Sequence, residues 1–393
     1  MFNEQHKKES PILSLLGMGG GIGGGLHGGG GGAGMDATGG TVYEDTANSR
    51  KIHVFTFPNS DNFVVNSDPG SATLSVLCVG GGGGGGNYGG GGGAGSYVYV
   101  DDFPFSPGTY TVNVGDGGLA FRSASPTPSN YTNRRFINTQ GAWGAPSTFG
   151  VAAGAAGAIG GPYPTNSIVA YGGGGGGGNS TSPVDAHHGV PRSGANQGGP
   201  LGNPHSVYFG SGGGASSQNT PTARGGGADY SPDWPTIGPT AIPALTRNNH
   251  FQNGGGAATE GLGQPVTNNT GAGGGGAGGA GSDPPQGGRG GAGGAGKAVP
   301  STFLPSPYSW LPNPFLGIAQ PSPDFNQFAG GGSGQSDDDT QVAGGSGGGG
   351  AGGGPGDATQ GIDGRGGGGG GEAVGDGSEP GGNGIVIVSY PTS

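Results

Sequence analysis

With 108 glycines and 32 prolines in 393 residues, and only 30% apolar residues, the chain lies outside the composition of ordinary globular enzymes. The formal charge of -11 with 9% charged residues opposes phosphate backbones, which excludes nucleic acid as a partner. The single cysteine, Cys78, excludes a disulfide framework and a cysteine-rich zinc site, and reads as a small buried hydrophobe in a strand. No apolar stretch approaches the roughly 18 residues that cross a bilayer, so no membrane insertion is expected.

Residues 1–40 hold a charged lead, the apolar cluster of Ile12, Leu13, Leu15 and Leu16, and two glycine tracts. Lys7 and Lys8 before that cluster imitate a signal peptide, but the run is shorter than the usual minimum of about 7 residues, so export by that route is not expected. The segment reads either as an attachment arm or as a frayed terminus.

From Ile52 onward, short β-branched and aromatic runs recur between turn-formers, which predicts strands. The predicted strands are 52–57, 63–65, 74–79, 97–100 and 109–114, and the last places Tyr110, Val112 and Val114 on one face. Glycine tracts interrupt this region at 80–86 and 89–93 and dominate beyond residue 150, notably at 172–178, 273–276, 347–350 and 366–371. At the end, 385–390 reads as another strand. A flexible tail needs no strand waiting on its far side, so the glycine-rich body is expected to be an ordered insertion.

Threefold polyproline-II-like backbones of glycine can satisfy one another laterally, because without a Cβ their polar groups approach closely. Each net hydrogen bond returns only about 0.5–1.5 kcal/mol, against a comparable cost of ordering each glycine. Only a compact, cooperatively paired bundle closes that balance. The expected fold class is all-β plus polyglycine-II helices. A small antiparallel β-sandwich over 41–150 plus 381–393 is closed by the C-terminal strand, and a bundle is inserted over 151–380.

These elements resemble, in their order, the glycine-rich domain of bacteriophage tail-fibre and related virion proteins. The matching pieces are His53-Val54-Phe55-Thr56, Leu77-Cys78-Val79 running into Gly80, Gly108 to Gly118, Ser147-Thr148-Phe149-Gly150, and Gly381 to Tyr390. A more distant likeness is to the extracellular glycine-rich region of anaplastic-lymphoma-kinase-type receptors. The phage resemblance implies a non-enzymatic virion protein in which loops joining glycine helices at the bundle's tip touch a host surface receptor. Other virion proteins, of tail or capsid, are the further implied partners, and homotrimeric assembly is left open.

Two long insertions depart from the plain pattern. Residues 229–251 carry Tyr230, Trp234 and Phe251, and residues 300–328 carry Phe303, Tyr308, Trp310, Phe315, Phe325 and Phe328 among many prolines. Aromatics on proline-stiffened loops offer contact area at small entropic cost. Three roles stay open for them: receptor contact, docking onto a neighbouring subunit, and capping of the bundle.

Apparent catalytic and metal motifs do not survive inspection. Gly291 to Lys297 spells a phosphate-loop pattern, but Ala298 stands where a hydroxyl residue would hold magnesium. Arg224, Arg289 and Arg365 precede glycine pairs in too few copies for an RNA-binding segment. Asp337, Asp338 and Asp339 could meet calcium, although a solvated turn explains them more simply. Gly354-Pro355-Gly356-Asp357 does not recur as a calcium-binding repeat would. His187, His188, His205 and His250 lack ligand spacing. No cofactor, metal ligand set or catalytic constellation is expected. The competing expectations are an adhesin, a structural capsid or tail component, and a disordered glycine-rich matrix protein.

Overall fold

The computed structural model describes residues 34–120, 141–150, 166–178, 211–214, 249–259, 270–303, 326–372 and 378–392, and the backbone of 222–223. Within these ranges Ala47, 59–60, Pro69, 71–72, Tyr88, Gly212, Ala257, 286–287, Asp339 and Pro355 lie outside the description, as do the side chains of 258–259. The strands are β1 (Asp36–Thr38), β2 (Thr41–Asp45), β3 (Arg50–Thr56), β4 (Asp61–Ser67), β5 (Leu74–Val79), β6 (Tyr97–Phe103), β7 (Gly108–Asn113), β8 (Ser147–Phe149), β9 (Ile168–Ala170), β10 (Thr222–Ala223), β11 (His250–Phe251), β12 (Ala258–Thr259), β13 (Lys297–Ala298), β14 (Gln327–Phe328) and β15 (Ile385–Pro391). No helical element occurs among the described residues.

A six-stranded sheet runs β11-β6-β5-β15-β3-β2, and a five-stranded sheet runs β1-β4-β7-β8-β9. Every pairing within them is antiparallel. The last strand, β15, sits between β3 and β5, with Val386 opposite both Phe55 and Cys78. Its sequence and that of β5 are nearly continuous in apolar residues rather than alternating, because the six-stranded sheet is covered on both faces. On one face Phe55, Cys78, Val98, Val386 and Val388 share a core with Phe63, Val65, Val112, Phe149 and Ile168 of the other sheet. On the opposite face Ile52, Val54, Leu77, Val79, Ile385 and Ile387 meet Ala277, Val299, Phe303, Phe328 and Ala329 from the glycine-rich body. Tyr110, Val112 and Val114 all pack into the first core, as their alternation predicts.

The sequence divisions do not separate these layers. β1 falls within the residues read as an arm, β9 and β11 fall within the residues read as bundle, and tracts 80–86 and 89–96 belong to the glycine body. β1 and β2 escape a strand reading because they are short and half of their residues are polar and exposed.

The glycine tracts are hydrogen-bonded side by side with a period of three. Gly80, Gly83 and Gly86 donate to the carbonyls of Ser96, Gly93 and Gly90; Gly81 and Gly84 donate to Ala145 and Ala142; Gly82 and Gly85 donate to Gly382 and Glu379. The carbonyls of the same tract accept from Gly173 and Gly176, from Gly118, and from Gly369. Tract 80–86 is thus surrounded by six others, three running antiparallel to it and taking its N–H groups, three running parallel and filling its carbonyls. Polar groups that pair with a different neighbour at each of three successive residues give the tract these six neighbours and leave few of its groups without a partner. The approach is too close for side chains: a Cβ on Gly82 would fall 1.9 Å from the Gly367 carbonyl oxygen, and one on Gly368 would fall 1.9 Å from that of Gly92.

Tracts at the rim show the same period in their exposure. Along 289–298 the exposed positions are Arg289, Ala292, Ala295 and Ala298, with glycines and Lys297 turned away between them. Substituents are thereby confined to the one direction in three that has no neighbouring tract.

Several tracts continue strands directly: 80–86 leaves β5, 89–96 enters β6, 115–120 leaves β7, 141–146 enters β8, 172–178 leaves β9, and 378–384 enters β15. Asn87, Gly288, Asp337 and Gly354, beside which the tracts reverse, therefore lie at the end of the body remote from the sheets. Gly34 lies against the Thr392 carbonyl at the opposite end of the molecule, where Thr392 also bonds Ser49.

In the sheets, His53 is buried with Nδ1 2.7 Å from the Gly39 carbonyl and Nε2 3.1 Å from the Tyr390 hydroxyl. A carbonyl can only accept, so Nδ1 carries the proton and Nε2 accepts from Tyr390. Burial holds the imidazole below its ordinary value of 6.5, with Lys51 adding to the effect and the Gly39 bond opposing it, and burial pushes the Tyr390 hydroxyl up to about 12. The unfolded chain therefore takes the His53 proton first. This contribution to stability is complete above about pH 6.5 and is lost as pH falls below that value. Urea midpoints are expected to drop between about pH 7.5 and about pH 5.5, and a His53→Gln chain is expected to show a smaller drop.

Candidate interaction surfaces

Two regions of the described structure could meet a partner: the junction between the six-stranded sheet and the glycine body, and the remote turns. At the junction, β11 adds to the edge of β6, pairing His250 with Val98 and Phe251 with Tyr97. Phe251 is 40% exposed, sits edge-on to Tyr97 at 5.9 Å between centroids, and has Lys297 Nζ 4.0 Å above its ring. Lys297 belongs to β13, which pairs with β14 through Lys297 to Phe328 and Ala298 to Gln327. The Val299 amide donates to the Asn326 carbonyl, closing the base of the second insertion.

Phe303 and Phe328 stand at that base, and both are interior, at 1% and 0% exposure. Phe303 packs edge-on against Tyr99 at 5.1 Å. Phe328 lies 5.4 Å from the guanidinium carbon of Arg365, itself fully buried, which donates to the Gln327 carbonyl. Both belong to the apolar cluster that covers the outer face of the six-stranded sheet where the glycine body ends, which is the packing that capping of the bundle calls for.

Phe251 is the one candidate contact residue that is both described and exposed. Tyr230, Trp234, Tyr308, Trp310, Phe315 and Phe325 lie outside the described residues, as do Ile12, Leu13, Leu15 and Leu16. The two insertions begin or end side by side at this junction, since Phe251 closes the first and Lys297 precedes the second. Neither the buried cap nor the meeting of the insertions is legible in the spacing of the aromatics.

The remote turns are polar. Asp337 donates its amide to the Gly288 carbonyl, and Arg289 Nε lies 3.5 Å from Asp338. Glu372, 5% exposed, forms parallel bridges with Asn87 and Gly353 and accepts the Gly356 amide at 2.5 Å. Among the described residues no group of three or more His, Cys, Asp or Glu side chains could hold a metal ion, and no helix is long and apolar enough to cross a membrane.

Antiparallel sheets with interleaved, laterally paired glycine tracts define an all-β glycine-rich protein. A family model described as a glycine-rich domain matches residues 58–299, more than half of the chain, so the protein belongs to that family. The match spans β4 to β13, whereas β15, which completes the six-stranded sheet, follows it in sequence. No curated protein matches the chain.

Proposed function

We propose that this chain is a non-enzymatic structural protein of a bacteriophage virion, a tail-fibre or fibre-tip adhesin. In this reading the tracts are polyglycine-II helices. The two sheets are a β-sandwich closed by β15, and the whole is a rigid post that carries loops away from the particle. The observation that carries the reading is polarity. Strands and tracts run on from one another, so the chain near Gly34 and Thr392 lies at one end and the polar turns at the other. The turns are the receptor-facing surface in this reading, in keeping with the phage resemblance.

The junction favours a second role for the long insertion. Segment 304–325 is rooted beside exposed Phe251 rather than among the remote turns, which suits docking onto a neighbouring virion protein. The two roles separate experimentally. Replacing 304–325 by a short Gly-Ser bridge, with Phe303 and Phe328 kept, should impair incorporation into particles. Exchanging the sequences of turns 284–289 and 337–341 should leave particles intact and abolish host adsorption. Undiminished adsorption after the turn exchange would overturn the adhesin reading.

A further inference from the structure

Between β1 of the five-stranded sheet and β2 of the six-stranded sheet the chain turns through Gly39 and Gly40, both at positive φ (115° and 59°). A Cβ on Gly39 would fall 2.0 Å from the Asn62 carbonyl oxygen, so the turn is pressed against β4 in that conformation. The Gly39 carbonyl is thereby presented to β3, where His53 Nδ1 donates to it at 2.7 Å. His53 Nε2 accepts from the Tyr390 hydroxyl of β15 at 3.1 Å, and the Ala37 amide of β1 reaches that same hydroxyl oxygen. The pairing of β1 with β4 is irregular at this point, its register shifting between Asp36 and Ala37. A hydrogen-bonded relay thus leaves β1 at Ala37, crosses Tyr390 and His53, and returns to the same segment at Gly39. Every hydrogen points the same way along it.

A relay of one sense requires a neutral imidazole, because imidazolium carries a donor on both nitrogens. Protonation would set Nε2–H against the Tyr390 O–H. If the hydroxyl turned to accept, its own hydrogen would need a new acceptor, and Tyr390 is 0% exposed. Among the described residues the carboxylates of the surrounding strands are committed elsewhere. Asp36 of β1 accepts from Asn66, Asp61 of β4 accepts from the Gly40 amide, Glu44 of β2 faces Lys51, and Asp45 of β2 accepts from Asn48. Lys51, two residues away on β3, opposes a second positive charge. Phe63 packs edge-to-face on the ring at 5.1 Å, and His53 is itself 0% exposed, so a charged ring would have no water. The element that can yield most easily is β1: it is three residues long, lies at the edge of its sheet, and has Asp36 and Thr38 exposed. We infer that protonation of His53 releases β1 and the Gly39–Gly40 turn while the other strands stay paired, an acid-operated latch that uncovers the edge of β4. The inference does not depend on the virion reading.

The test uses the full chain, with amide exchange read residue by residue at about pH 7.5 and about pH 5.5 and referred to the intrinsic rate at each pH. Opening of β1 draws one proton onto an imidazole of ordinary value 6.5, so protection at Ala37 to Gly40 should fall about tenfold over that interval. These amides should also exchange faster than those of β5 and β15 at both pH values, since they open without the rest of the fold. In His53→Gln the tenfold fall should vanish. Protection at Ala37 to Gly40 equal to that of β5 and β15 would overturn the inference, because β1 would then leave only with the whole fold. A fall that is absent in the parent chain, or that persists in His53→Gln, would overturn it as well. Should His53→Gln fail to fold, the His53 ring resonances of the parent chain decide: titration below about pH 6.5 in step with the loss of β1 protection is expected, and titration at or above that value with β1 still protected would contradict the latch.

Discussion

Replacing Gly82 by alanine is expected to cost at least about 3 kcal/mol of stability, enough to unfold a marginal domain. The added Cβ would lie 1.9 Å from the Gly367 carbonyl oxygen and 2.4 Å from its carbon, both backbone atoms. Neither can move alone, because Gly82 donates to Gly382 at 2.9 Å and accepts from Gly118 at 2.7 Å, which fixes its tract against two others. Separating the tracts at one residue would break bonds on several sides at once. Gly279→Ala provides the contrast, since the nearest neighbour of its Cβ would be Ala295 N at 3.5 Å, and its effect is expected to stay within about 1 kcal/mol. Urea denaturation of both variants checks the pair. Equal, small effects would mean that the tracts are not packed as described.

Ending the chain at Gly384 is expected to abolish folding altogether. β15 is not an edge strand: it bonds β3 on one side and β5 on the other. It also supplies Val386, Val388 and Tyr390 to one core and Ile385 and Ile387 to the other. Its loss would leave two open sheet edges in the centre of the molecule and withdraw several fully buried side chains, each worth about 2–5 kcal/mol. Circular dichroism and limited proteolysis of the shortened chain should report an unfolded protein. A native-like, protease-resistant product would show that the sheets form without their last strand.

The strands buried on both faces were readable because their apolar runs, Leu74–Val79 and Ile385–Pro391, stand out against glycine. β7 was readable from its alternation. β1 and β2 were not, since exposed polar residues in short strands carry no periodic signal. Which tract lies beside which is unreadable in principle: the bonds join identical backbone groups, so the sequence 80–86 does not say that 141–146 and 378–384 flank it. One signal was available and is physical, the recurrence of a non-glycine residue every third position from Arg289 to Ala298, which marks a rim tract. The aromatic insertions were visible as contact-rich sequence. Burial divided them differently, turning Phe303 and Phe328 inward and Phe251 outward.

Glycine backbones that satisfy each other instead of water hold this fold together. Residue-resolved amide exchange on the intact chain tests this most directly, read at Gly81 to Gly86, Gly173 to Gly177 and Gly367 to Gly371. Protection in these tracts should come close to that of β5 and β15 and be lost together with them in one cooperative opening. Exchange at unprotected rates in the tracts, beside protected strands, would contradict it.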